Sequence, residues 1–219
     1  MHMANDPQFA HPPGRVKRVG IFLSHAHEDA PMVEVIATTL SSFGLRPFMA
    51  ARHVKPAQEW LRRLERELRD SYALAAFLSP DFRNSAWTDQ EVGYALAHKK
   101  KIIAIQLHST TAPHGFLERY QALTAITMLP HDIALKILDR LLSFKDAPPE
   151  LLELVISRLQ SERSEASLRF WSERLTMIHT VPPDALSRLQ NILHTNAAIN
   201  TNRRLLDDIR KIVEASRRG

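Results

Sequence analysis

Between residues 18 and 142, short apolar runs alternate with segments whose apolar residues recur at helical spacing. Continuous apolar runs bounded by turn residues are typical of strands buried on both faces of a parallel sheet. Five such runs occur in order: VGIFLSH, LRPFM, YALAAFLS, KIIAIQL and LTAITML. The pattern predicts five strands, the second of them weakened by Pro47, which cannot donate a hydrogen bond to a neighbouring strand.

Amphipathic segments separate the strands. The first, DAPMVEVIATTLSSFG, places Asp29 as the N-cap, Pro31 in the first turn and Gly44 at the end of a helix. A second helix is predicted around Trp60, which we expect in the core, a third over WTDQEVGYALAH, and another after the fifth strand. This alternation predicts an α/β fold with helices on both faces of a parallel sheet.

The commonest arrangement of five such strands is the flavodoxin-like order 2-1-3-4-5. Ligands of this fold bind outside the carboxyl ends of the strands, where the first and third strands diverge. The first strand ends at Ser24 and His25, the third ends at Ser79, and the turn after Ser79 leads to the helix that holds Trp87 and Glu91. We therefore expect these side chains to border the ligand crevice.

Both ends of the chain differ from this α/β segment. Residues 1–17 are polar, contain three prolines and have no periodicity, which predicts a flexible N-terminal segment. From the DAPP stretch onward only helical periodicity remains, in ELLELVISRLQ, around Trp171, in PPDALSRLQNILH and around Ile209. The sequence thus predicts an α/β domain over 18–146 and an all-α region of three or four helices over 147–219.

Composition narrows the classes of function. The absence of cysteine excludes disulfides and thiolate chemistry, and no apolar run approaches the roughly 20 residues of a membrane-spanning helix. Both features favour a cytoplasmic protein without a membrane partner. The net charge of +5 comes from 29 basic and 24 acidic residues that are interspersed, and no groove-reading motif accompanies them, so nucleic acid is not favoured as a partner.

The spacing of Trp87, Glu91 and Tyr94 places them on a narrow arc of one helix, beside the arc that faces the core. An aromatic platform and a carboxylate in this position suit a ligand cleft, and the nearby helix N-terminus stabilises the anion. The same spacing also fits an indole at the edge of the core and a solvated or capping carboxylate. Spacing alone leaves both interpretations open.

Other chemistry finds less support. His25 and His27 have no third ligand in view, so a hydrogen-bonded polar site is favoured over a metal site. Ser24 lacks the Gly-x-Ser-x-Gly turn of an activated nucleophile. Ser79 stands where a phospho-accepting domain of this fold would need an aspartate. The sequence therefore predicts neither a metal nor a cofactor.

Taken in order, several elements resemble the TIR (Toll/interleukin-1 receptor) domain family, and bacterial members in particular. They are a strand followed by Ser-His, the turn and strand from Gly44 to Phe48, a loop ending in EW, a strand followed by LSPDF, and Ser-x-Trp-x-x-x-Glu. The resemblance covers residues 18 to about 142. It implies the flavodoxin-like fold and, because many TIR domains cleave NAD, an NAD+ nucleosidase of antiphage defence or signalling whose product is ADP-ribose or a cyclic ADP-ribose isomer.

The resemblance also implies roles for individual residues. Glu91 matches the catalytic glutamate of such enzymes, and Trp87 matches the aromatic residue one turn earlier. Ser24 and His25 match the segment that lines the nucleotide pocket, and Phe48 matches the entrance to the flexible BB loop. NAD+ is then a substrate.

The BB loop, residues 50–57, contributes Arg52 and also His53 and Lys55, which could reach phosphates. In TIR catalysis the BB loop of one copy helps to complete the pocket of a neighbour, so self-association is expected. The C-terminal helices are expected to contact an upstream sensor or to cap the domain. Two alternatives are a TIR scaffold that binds other TIR domains without turnover and a passive nucleotide sensor.

Overall fold

The computed structural model describes residues 18–50 and 58–196, together with residues 199, 207 and 209–211. Its sheet is parallel and has the strand order β2-β1-β3-β4-β5, which confirms the predicted flavodoxin-like α/β fold. The strands are β1 (Gly20–Ser24), β2 (Arg46–Met49), β3 (Ala73–Leu78), β4 (Lys101–Gln106) and β5 (Leu123–Thr124).

Helices cover both faces of the sheet and follow it. They are α1 (Ala30–Phe43), α2 (Gln58–Asp70), α3 (Pro80–Arg83), α4 (Ala86–Ala97), α5 (Pro130–Leu142), α6 (Pro149–Ser161), α7 (Glu165–Leu175) and α8 (Pro183–Thr195). Two 3-10 turns, His27–Asp29 and Gly115–Arg119, lie in the connections. Periodicity does not predict α3 or these turns, because each is too short to display it.

Helix α1 begins and ends near the predicted residues. Gly44 has a φ of 102°, a left-handed conformation that favours glycine, and its N–H bonds to the carbonyl groups of Leu40 and Ser41. A β-carbon at Gly44 would lie 3.2 Å from the side chain of Leu154 in α6, so glycine also permits close packing there. Asp29 occupies the N-cap position, but its side chain makes no capping hydrogen bond, and that part of the prediction is wrong.

The fifth strand is shorter than predicted. Of the LTAITML run, only Leu123–Thr124 forms β5, and one further bond joins the Ala125 N–H to the Gln106 carbonyl. The neighbouring strand β4 ends at Gln106, so no backbone partner continues beyond that point. The rest of the run therefore leaves the sheet, and Ile126 and Leu129 are 43% and 68% exposed.

Alternate residues of each strand point to opposite faces of the sheet, so their side chains contribute to two apolar layers, one on each face. Phe22 packs on the side of α2 and α4, whereas Ile21 and Leu23 pack on the side of α1 and α5. The second of these layers continues without a break into the C-terminal helices. Its members there include Leu151, Val155, Leu159, Leu168, Trp171, Leu175 and Leu189.

The C-terminal helices agree with the predicted all-α region over the part of it that is described. Helices α6, α7 and α8 correspond to the first three of the four periodic segments. The side chain of Asn196, which follows α8, donates a hydrogen bond of 2.9 Å to the Leu159 carbonyl in α6. Most of the predicted fourth helix lies outside the described residues, as do residues 1–17. Within the described ranges, none of the helices is long and apolar enough to cross a membrane.

Candidate active site

The end of β1 and the second turn of α4 bring two side chains together. The Ser24 hydroxyl donates a hydrogen bond of 2.5 Å to Oε2 of Glu91. Ser24 is 0% exposed and Glu91 is 2% exposed. This distance lies at the short end of the range for a hydroxyl that donates to a carboxylate. Because a buried carboxylate is costly without donors, Ser24 is one of the groups that hold Glu91 in place.

Burial also decides where Glu91 lies on its helix. Thr88, Val92 and Ala95 are buried, and Glu91 is as deeply buried as they are. The sequence predicts Glu91 at the margin of the core-facing arc, whereas in the structure it lies on the buried face itself. Tyr94 is half-buried and its ring stacks on His98, with 4.1 Å between the ring centres. Tyr94 therefore belongs to the outer part of α4.

His25 is tied to its own strand. Its Nδ1–H donates a hydrogen bond of 2.9 Å to the Leu23 carbonyl, and the residue is 2% exposed. This bond places a ring proton on Nδ1. His27, by contrast, is exposed in the first 3-10 turn. Among the described residues, no group of three or more His, Asp and Glu side chains is arranged to hold a metal ion.

Trp87 lies at the first turn of α4 and is half-buried. Its ring meets the ring of Trp60 on α2 at 89°, with 5.6 Å between their centres. Such perpendicular pairs contribute about 0.5–1.5 kcal/mol beyond area burial. Trp60 is itself half-buried at the margin of the core, which corrects the expectation that it lies inside. Its role as the support of the Trp87 ring was not visible in the sequence.

Phe48 lies in β2, one residue before its end. Its ring is 5.4 Å from the ring of Phe22, and the guanidinium of Arg63 lies 5.8 Å from its centre. Arg63 follows Trp60 by one helical turn on α2, so one helix contacts both predicted aromatic residues. Arg52, with the rest of residues 51–57, lies outside the described residues, and its predicted contact with phosphate stays a prediction.

A second hydrogen bond joins the loops that follow β1 and β3. The Ser79 hydroxyl donates a bond of 2.6 Å to Oδ2 of Asp29 and accepts one of 3.1 Å from the Phe82 N–H, so that it caps α3. Burial raises the pKa of the Asp29 carboxyl, the hydrogen bond from Ser79 and the charge of His108 lower it, and the charge of Asp81 raises it. The Ser79–Asp29 hydrogen bond thus connects the segments that follow β1 and β3.

Asp29→Asn is expected to raise the melting temperature near pH 7. Because the folded-state pKa of Asp29 is raised, its contribution to stability is complete below the unfolded pKa and is lost as the pH rises through the folded pKa. Asparagine keeps an acceptor for Ser79 without the half-buried charge, so we expect a gain of about 1–3 °C in thermal unfolding followed by circular dichroism. The gain should vanish near pH 3. A lower melting temperature near neutral pH would contradict this account.

Together, fold and site define a flavodoxin-like domain with a buried carboxylate where the first and third strands diverge. The family model of the TIR domain matches residues 21–141, which is more than half of this chain of 219 residues. The protein belongs to the TIR domain family.

Solved structures include similar folds. The chain is similar to the TIR domain of the Toll-related receptor TRR-2 from Hydra magnipapillata, with 20% identity over 55% of this chain and 94% of that one, and a TM-score of 0.45. It is also similar to a 2-desoxiribosyltransferase from Leishmania mexicana, with 20% identity over 51% of this chain and 81% of that one, and a TM-score of 0.36. No curated protein matches the chain. The family assignment rests on the match over residues 21–141.

Proposed function

We propose that this protein is an NAD+ nucleosidase that cleaves the bond between nicotinamide and ribose. The observation that carries the proposal is the buried carboxylate of Glu91, which accepts a 2.5 Å hydrogen bond from Ser24 one helical turn after Trp87. A domain that only binds other proteins through its surface has no need of a carboxyl group buried at this end of the sheet, because burial of a polar group costs free energy.

The chemistry of NAD+ explains how one carboxylate suffices. Nicotinamide in NAD+ is already cationic, so it leaves as a neutral base when the C1′–N bond breaks and needs no general acid, unlike an ordinary glycoside. Positive charge then develops on the ribose. A fixed carboxylate beside the sugar stabilises that charge, and we assign this role to Glu91.

The product depends on what attacks C1′. Capture of the ribose by water, with loss of a proton to solvent, gives ADP-ribose. Capture by a nucleophile within the ADP-ribosyl group, with loss of a proton to solvent, gives a cyclic ADP-ribose isomer, which has one water molecule less than ADP-ribose. Both routes begin with the same step, the cleavage of the C1′–N bond.

We assign the binding of the planar rings of NAD+ to aromatic side chains. Trp87 offers a face on which nicotinamide or adenine can stack, and the perpendicular contact with Trp60 holds that face in one orientation. Phe48 lies near the end of β2, with the guanidinium of Arg63 from α2 beside its ring, and the segment that contains Arg52 follows it in the sequence. We assign Ser24, His25 and Phe48 to the nucleotide pocket, with Arg52 as the phosphate contact.

Ser24→Ala is expected to lower kcat about tenfold and to leave KM for NAD+ nearly unchanged. Removal of the hydroxyl takes one donor from a buried acceptor, which costs about 1–3 kcal/mol and loosens the carboxylate. Ser24→Thr keeps the O–H donor and serves as the matched variant, which we expect to retain most of the activity. Steady-state kinetics of nicotinamide release provides the measurement, and equal activity of Ser24→Ala and wild type would contradict the positioning role.

The experiment that tests the proposal is incubation of the full chain with NAD+ while nicotinamide release is followed by chromatography. The reaction is run over a range of protein concentrations, because we propose that copies associate through their TIR domains and complete each other's pockets. Release that depends on Glu91 is the expected result. Self-association without nicotinamide release would instead favour the scaffold, and NAD+ binding without product would favour a passive sensor.

A further inference from the structure

A basic groove lies toward the opposite end of the sheet from Glu91. It has a volume of about 710 Å³ and lies between the last turn of α4, the start of β4, the 3-10 turn Gly115–Arg119 and the end of α5. Strands β1 and β4 are parallel and run in the same direction. The start of β4 and the end of β1, where Ser24 lies, are therefore at opposite ends of the strands. This groove is therefore separate from the candidate active site.

The charges that line the groove are all positive. None of its twelve lining residues is acidic, and five of them are basic: Lys99, Lys100, Lys101, Arg119 and Arg140.

Two of the lysines already have partners nearby. Lys101 forms an ion pair of 2.7 Å with Asp146, and Lys100 donates to the Arg69 carbonyl and lies near the charge of Asp70. Burial lowers the pKa of Lys100, and the charge of a bound anion would oppose that shift. Lys99, Arg119 and Arg140 supply the rest of the positive field in the groove.

Aromatic rings stand beside these cations. Phe116 is 62% exposed, and the guanidinium of Arg119 lies 5.8 Å from its ring centre. The ring of Phe144 has the guanidinium of Arg140 at 5.4 Å and the ammonium of Lys101 at 5.5 Å. Aromatic faces next to cations bind nucleotides, because the base stacks on the ring while the phosphates pair with the charges.

We propose that the basic groove binds a nucleotide that carries several phosphates. Its base would lie against Phe116, and its phosphates would contact Arg119, Arg140 and Lys99. The volume falls within the range of sites for small ligands, roughly 300–1,000 Å³. An acidic peptide would use the cations but would have no need of the exposed ring of Phe116. This second site goes beyond the proposed cleavage of NAD+.

Calorimetric titration of the full chain with ATP tests the proposal. ATP has no bond between nicotinamide and ribose, so the result does not depend on the proposed activity. We expect wild type to bind ATP, and Arg119→Glu and Phe116→Ser each to weaken binding by about tenfold or more, as the loss of a charge-assisted contact implies. Arg163→Glu, an exposed charge reversal between α6 and α7, should bind as wild type does.

Four outcomes would overturn the proposal. The first is that wild type does not bind ATP, and the second is that Trp87→Ala, in the candidate active site, loses binding while Arg119→Glu keeps it. The third is that inorganic triphosphate binds as tightly as ATP. The fourth is that a thymidylate oligonucleotide binds more tightly than ATP. The last would make the groove a site for a nucleic acid strand. Circular dichroism checks that each variant is folded, and Lys99→Glu, at another exposed position, takes the place of Arg119→Glu if that variant does not fold.

Discussion

Glu91→Gln is expected to reduce nicotinamide release by about a hundredfold to a thousandfold, the range seen when one stabilising group for transition-state charge is removed. Glutamine has the shape of glutamate, and its carbonyl oxygen still accepts the hydrogen bond from Ser24, so the substitution removes the charge and leaves the geometry. The melting temperature should stay the same or rise, because a buried charge is lost. Initial rates of nicotinamide release measure the effect.

Asp89→Asn provides the matched control on the same helix. The side chain of Asp89 is 65% exposed and lies 3.6 Å from the Nε2 of His114, away from Ser24. This variant also loses one carboxylate from α4, but we expect it to retain wild-type activity. Equal losses in Asp89→Asn and Glu91→Gln would mean that the net charge of the helix matters and that Glu91 has no special role.

Trp171→Ala is expected to lower the free energy of unfolding by about 4 kcal/mol, in line with other deletions of large buried aromatic side chains. Trp171 is 4% exposed and joins α7 to α1, where the Phe43 ring lies 6.3 Å away at 85°. Phe170 and the guanidinium of Arg158 also pack against the indole. Since domains of this size are stable by only about 5–15 kcal/mol, the loss is a large share of the total. Guanidinium denaturation followed by circular dichroism measures it.

The same experiment tests whether the C-terminal helices and the sheet unfold together. Because one apolar layer runs from α1 and α5 into α6, α7 and α8, we expect a single transition for wild type and for Trp171→Ala. Arg169→Ala, which removes only an exposed ion pair with Glu165, should change the stability by about 0.5 kcal/mol or less. Two separate transitions in the wild-type protein would contradict a shared core.

The fold was predictable because the first, third and fourth strands each contain an uninterrupted apolar run with a clear boundary. The fifth was predicted too long, because the length of an edge strand depends on its neighbour, and β4 ends at Gln106. The hydrogen-bond partner of Asp29 could not be predicted from the sequence for a similar reason. Its position before the helix was readable, but its preference for Ser79 over the helix N–H groups depends on a loop 50 residues away.

Of the candidate site, the sequence predicts that Ser24 and the helix of Glu91 share one end of the sheet. It does not predict the depth of Glu91, because helical spacing gives an angle around the helix and does not reveal which neighbours cover it. The basic groove could not be predicted from the sequence for a related reason. Its cations come from three separate segments, at residues 99–101, Arg119 and Arg140, that only the tertiary fold brings together.

The most direct test of the central claim is the product balance of the reaction with NAD+. Wild type and Glu91→Gln are incubated with NAD+ over the same range of protein concentrations, and all products are quantified by mass spectrometry. The account predicts nicotinamide and ADP-ribose species in equal amounts from wild type and almost none from the variant. Intact NAD+ at every wild-type concentration, or equal turnover by both proteins, would contradict it.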